Sequence, residues 1–208
     1  MGTIFVDNLK HQSSQGSGTI TIGASGETVA LASGATTRVG THRLLASTTV
    51  STAVSNVEFD STVMGDYKAY LLTLSKVSAA TDGWDLDVQF FNDSTSIHCH
   101  HVHNYKSMVS SANQGVAYVD GAHRVVQDGE ASDDKCSGMV WIILNNDKRT
   151  EGGGVFGFGT TLNQNGTYYG YDAQSIFTQD NVLNRIIILD SAGSNIDSGT
   201  FKLYGIHD

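Results

Sequence analysis

Apolar and polar positions alternate in short runs along most of this chain, the two-residue period of strands that bury one face. From Leu44 onward the runs lengthen and carry aromatics: Tyr67 to Val77 (YKAYLLTLSKV), Trp84 to Phe91 (WDLDVQFF), Gly138 to Leu144 (GMVWIIL), Arg185 to Leu189 (RIIIL) and Phe201 to Ile206 (FKLYGI). Asp82-Gly83, Asn145-Asn146-Asp147, Asn165-Gly166 and Ser191 to Gly199 fall between them. These are turn signals at the spacing of antiparallel sheets. No run shows a convincing helical period. The continuous apolar triplets Ile142-Ile143-Leu144 and Ile186-Ile187-Ile188 suit strands in the middle of a sheet. The pattern therefore predicts an all-β domain over residues 42–208, an antiparallel β-sandwich of about eight strands. A jelly roll is the first expectation and an immunoglobulin-like sandwich the second.

The first forty-one residues have a different texture. Thr3 to Val6 is a short β-prone run that ends in Asp7-Asn8, and a polar, turn-rich stretch follows. Ile4, Phe5 and Val6 are the candidate docking residues of an N-terminal segment, 1–15. Over 16–41 lies a thin segment of small and β-branched residues, a short β stem or a linker. There Thr19-Ile20-Thr21-Ile22 is echoed nine residues later by Thr28-Val29-Ala30-Leu31. So little apolar surface cannot offset an ordering cost of about 1–2 kcal/mol per residue. Either the segment is a flexible Gly/Ser/Ala/Thr linker, or Ile20, Ile22, Val29 and Leu31 are buried against other copies of the chain.

Composition narrows the function classes. Twelve basic against 21 acidic residues give a net charge of −9, the wrong sign for gripping phosphate backbones, so no nucleic-acid partner is expected. With 23 glycines and no proline, the chain favours short strands and tight turns. No run is long and apolar enough to span a bilayer, the N-terminus lacks the pattern of a secretion signal, and Val6 spoils a myristoylation motif. Cys99 and Cys136 make no disulfide framework, as expected for assembly in a reducing cytoplasm.

Candidate chemistry centres on Ile97-His98-Cys99-His100-His101-Val102-His103. On a strand, His98 and His100 share one face and His101 and His103 the other. Each His-x-His pair offers two imidazoles, and three copies around an axis would offer six, enough for an octahedral metal ion. The competing reading has these histidines hydrogen-bonding at a subunit contact or on a wet strand face. Neighbouring imidazoles with pKa values of about 6.5 would also repel once charged, a pH-sensitive arrangement. Asp82, Asp85 and Asp87, and the stretch Asp128 to Asp134, lack the spacing of a calcium-binding loop and read as solvated charges. Tyr168, Tyr169 and Tyr171 are candidates for a sugar-stacking surface, whereas Trp141, within an apolar run, reads as core. Signatures of hydrolases, nucleotide-binding enzymes and zinc peptidases are absent, so no enzymatic activity and no obligatory cofactor are expected.

Three stretches carry a family resemblance. The opening MGTIFVDNLKHQSSQG, the stem-like GTITIGASGETVALASGATT, and the pair DYKAYLLTLSKVSAATDGWDLDVQFFNDST and SGTFKLYGI resemble short tail-fibre and head-fibre proteins of bacteriophage virions, of the marine-phage type. The spacing of the histidines is similar to the axial metal sites of some trimeric phage fibres and spikes. The resemblance implies a homotrimeric virion protein, assembled in the host cytoplasm. Its N-terminus would dock on other tail or capsid proteins, and its sandwich would face outward towards a host-surface glycan. The stem is too short for an extended shaft, which implies a stubby fibre or a capsid decoration protein.

Overall fold

A computed structural model describes residues 42–107, 113–129, 135–145, 149–162 and 167–206. Ile4, Phe5 and Val6, the stem positions Ile20, Ile22, Val29 and Leu31, the Asn165-Gly166 turn and residues 130–134 lie outside the described residues.

The described residues form strands and turns without a helix. In chain order the strands are β1 (His42–Val50), β2 (Asn56–Phe59), β3 (Ala69–Ala79), β4 (Trp84–Asn92), β5 (Thr95–Ile97), β6 (Cys99–Ser107), β7 (Asn113–Asp120), β8 (His123–Gly129), β9 (Cys136–Ile143), β10 (Gly154–Leu162), β11 (Tyr168–Phe177), β12 (Arg185–Asp190) and β13 (Ile196–Ile206). One sheet has eight strands in the order β1-β13-β3-β9-β10-β11-β6-β7; the other runs β2-β12-β4-β5, with β8 also paired to β4. Every pairing is antiparallel.

Four of these pairings are nested: β1 with β13, β2 with β12, β3 with β9, and β4 with β8. A chain folded back on itself as one long hairpin and then rolled into two facing sheets gives this set, which is the jelly-roll arrangement. The remaining strands are two insertions. β5 to β7 lie between β4 and β8, β10 and β11 lie between β9 and β12, and β6 pairs with β11. Together, β10, β11, β6 and β7 widen the first sheet by four strands.

Alternation selects the core. Tyr70, Leu72 and Leu74 of β3, Val140 and Ile142 of β9, and Phe201 and Leu203 of β13 face inward from the larger sheet. They meet Leu86, Val88 and Phe90 of β4 and Ile186 and Ile188 of β12. Each such side chain stabilises the fold by roughly 1.5–3 kcal/mol relative to exposure. Phe90 and Phe177, one from each sheet, meet edge to face with ring centroids 5.1 Å apart. Asp82-Gly83 makes the expected turn, with Gly83 at φ 74°, a conformation that glycine adopts without strain.

Trp141 departs from expectation. Val140 and Ile142 hold the inward positions, so the intervening Trp141 is half-buried on the outer face, where its ring meets His42 at 5.6 Å, edge to face. The same phase leaves Ile143 exposed within the continuous run that suggested burial on both faces. Trp84, at the start of β4, is fully buried instead.

Candidate functional site

Among the described residues, the exposed large hydrophobic side chains gather on the outer face of the eight-stranded sheet. Strand register aligns Leu44, Tyr204, Leu71, Trp141, Phe156, Gln174 and Val102 as one row across seven strands. A parallel row holds His42, Ile206, Ala69, Ile143, Gly154, Ile176 and His100. On the other side lie Lys202, Thr73, Met139, Phe158, Asp172 and Asn104. Several of these apolar side chains are open to solvent, with Leu44 at 50%, Phe158 at 52% and Ile176 at 67% exposure.

β10 explains how large apolar groups come to be outside. Its sequence alternates glycine with phenylalanine, and Gly157 and Gly159 take the inward positions. A Cβ on Gly157 would lie 2.5 Å from His123 Nε2, and one on Gly159 would lie 2.8 Å from the carbonyl oxygen of Val125. β8 packs so closely against this strand that only glycine fits, and Phe156 and Phe158 must point away. Sequence reasoning passed over these residues because the two-residue period does not say which face of a strand is inside. The Gly-x-Gly spacing of Gly157 and Gly159 was the available signal, since glycine inside a strand marks close backbone approach.

The histidine cluster divides as alternation requires. His98 and His100 have exposed side chains, and His100 lies in the outer face opposite Ile176. His101 points inward and is fully buried. There the hydroxyl of Ser175 bridges two imidazoles, 3.0 Å from His101 Nδ1 and 2.8 Å from His123 Nδ1. A serine hydroxyl can accept from one ring and donate to the other. The rings pack edge to face with centroids 5.0 Å apart. His101 is thus committed to the joint between β6, β8 and β11 and is withdrawn from the candidate metal ligands, which leaves the exposed pair, His98 and His100; the side chain of His103 lies outside what the structure describes. Among the described residues, no three His, Cys, Asp or Glu side chains converge within one chain to hold a metal ion.

The three tyrosines do not form one surface. Tyr168 projects to the outer face, whereas Tyr169 and Tyr171 point inward with ring centroids 6.4 Å apart, and Tyr171 is buried in the core. Adjacent strand residues face opposite ways, which separates Tyr168 from Tyr169, and the two-residue period sends Tyr171 inward with Tyr169. The expectation of one platform built from all three is therefore corrected: only Tyr168 is open on the outer face.

Asp85 and Asp87 share a guanidinium. Arg124 of β8 places Nη1 3.0 Å from Asp85 Oδ2, donates from Nε to Asp87 Oδ1 at 2.9 Å, and donates from Nη2 to Ser191 Oγ at 3.1 Å. These carboxylates are neutralised by a side chain from another strand. Both cysteines are buried, and burial pushes the Cys136 thiol well above its ordinary range, which leaves it protonated and unreactive at neutral pH. Among the described residues no helix is long and apolar enough to cross a membrane. Comparison with protein-family models, with curated proteins and with solved structures finds no match in any of the three.

Proposed function

We propose that this chain is a non-enzymatic structural virion protein, a short homotrimeric phage tail fibre whose jelly-roll head contributes to attachment at the host surface. The observation that carries the reading is the outward apolar face of the eight-stranded sheet. The largest apolar patch on a soluble protein is often an interaction site. Proteins that assemble present such faces because association, rather than folding, buries them. The jelly-roll order of the strands accords with this, because viral capsid domains are among the proteins built this way. Fold alone does not assign a role, and the same chemistry would serve a capsid decoration protein or head fibre anchored elsewhere on the particle. A carbohydrate-binding module is a weaker reading, because its three candidate stacking tyrosines fall on opposite faces of β11.

In this reading Ile4, Phe5 and Val6 dock on neighbouring virion proteins, and residues 16–41 set the distance to the head. Deletion of residues 1–15 separates docking from folding. The truncated chain is expected to keep the β-rich circular dichroism and melting temperature of the full chain and to be missing from purified particles. Incorporation at the full-length level would refute the docking role.

A further inference from the structure

We infer that the outer face of the eight-stranded sheet is the contact through which copies of this chain meet; the inference rests on the trimeric reading above and names the surface that reading needs. Its first support is that folding does not require what the face displays. Gly157 and Gly159 occupy the inward positions of β10, where β8 leaves no room for a Cβ, so Phe156 and Phe158 contribute little to the core. A strand with two phenylalanines turned to water is costly unless something covers them.

Charge argues for a second copy as the occupant. The chain carries a net −9, so two copies repel wherever their acidic surfaces approach. Glu58, Asp60, Asp66, Asp82, Asp93 and Asp180 all lie in turns or on the smaller sheet. The three rows of the outer face hold one lysine, Lys202, and one aspartate, Asp172, apart from their two histidines. A partner chosen for opposite charge would find little to pair with here, whereas a copy of the same chain meets no net repulsion. Leu44, Ile143 and Ile176 offer no ring on which a sugar could stack; Trp141, Phe156 and Phe158 do, and the polysaccharide arm of the test below separates that occupant from a second copy.

The dimensions are adequate. Seven strands at about 4.8 Å spacing and three rows of side chains cover on the order of 500 Å². One side of a standard protein interface buries about 800 Å², so this face supplies most of one and its rim can supply the rest.

Hydroxyl-radical footprinting of the full-length chain, read beside its mass in solution, tests the inference. At concentrations where the chain is assembled, Trp141, Phe156, Phe158 and Ile176 are expected to be oxidised at least about fivefold more slowly than their exposure in a single chain warrants. With Phe156→Ser and Phe158→Ser combined, Trp141 and Ile176 are expected to regain the faster rate while the β-rich spectrum is unchanged. An assembled chain whose face is oxidised at the free rate overturns the inference and leaves the trimeric reading standing. So does a face that becomes protected only when a polysaccharide is added. A chain that stays single at every concentration overturns both.

Discussion

Arg124 shows how side chains far apart in sequence become one unit. Its guanidinium, only 14% exposed, bridges Asp85 and Asp87, and the Asp87 side chain is 3% exposed. Loss of a cation from such a setting strands carboxylates away from water, at a cost of about 3–5 kcal/mol when the site is fully buried. Arg124→Ala is therefore expected to lower stability to denaturant by about 3 kcal/mol, somewhat less than the full penalty because Asp85 is partly solvated. A loss below about 1 kcal/mol would place Arg124 with ordinary surface ion pairs. The Arg185–Glu58 pair, with both partners about a third exposed, belongs to that weaker class. The sequence displayed Asp85 and Asp87 as a two-residue repeat on one strand face, which reads equally well as solvated charge. Nothing local marks an arginine 37 residues away as their partner. The commitment of His101 to Ser175, 74 residues away, was hidden for the same reason.

At the scale of elements, legibility followed the length of the apolar run. β3, β4, β9, β12 and β13 each bury several large side chains on one face, so their period stands out in the sequence. β6 is rich in histidine and polar residues, and β10 inverts the usual assignment by turning glycine inward and phenylalanine outward. Period alone gives the two faces of a strand and leaves open which one is inside. Trp141 was misplaced on that ground, because Val140 and Ile142 are smaller yet hold the inward phase. β10 also provides a reversal of the usual mutational hierarchy. Gly157→Ala should destabilise the fold by about 1–3 kcal/mol, since the added methyl group collides with His123. Phe158→Ser should change the stability of the dissociated chain by less than about 1 kcal/mol, since that ring is half exposed. Thermal or denaturant melts of the two variants at high dilution would check this, and a larger loss for Phe158→Ser would mean that β10 faces the other way.

For the molecule as a whole, the all-β sandwich was legible because turn signals and alternating runs recur along the chain. The nesting was not, since β1 and β13 join residues as distant as Thr49 and Thr200, and many other pairings would satisfy the same alternation. The widening of one sheet by β10, β11, β6 and β7 was equally invisible, although it enlarges the apolar face beyond what the eight nested strands provide. That face is the meeting point of fold and proposed role. The core-facing side of the sheet packs against the smaller sheet, and its outward side is the surface that we propose other copies of the chain cover. The most direct measurement is the mass of the full-length chain in solution by light scattering coupled to size exclusion, over a range of concentrations. The account predicts three times the 22.2 kDa of one chain. A mass of one chain, unchanged up to the highest concentration reached, would contradict it.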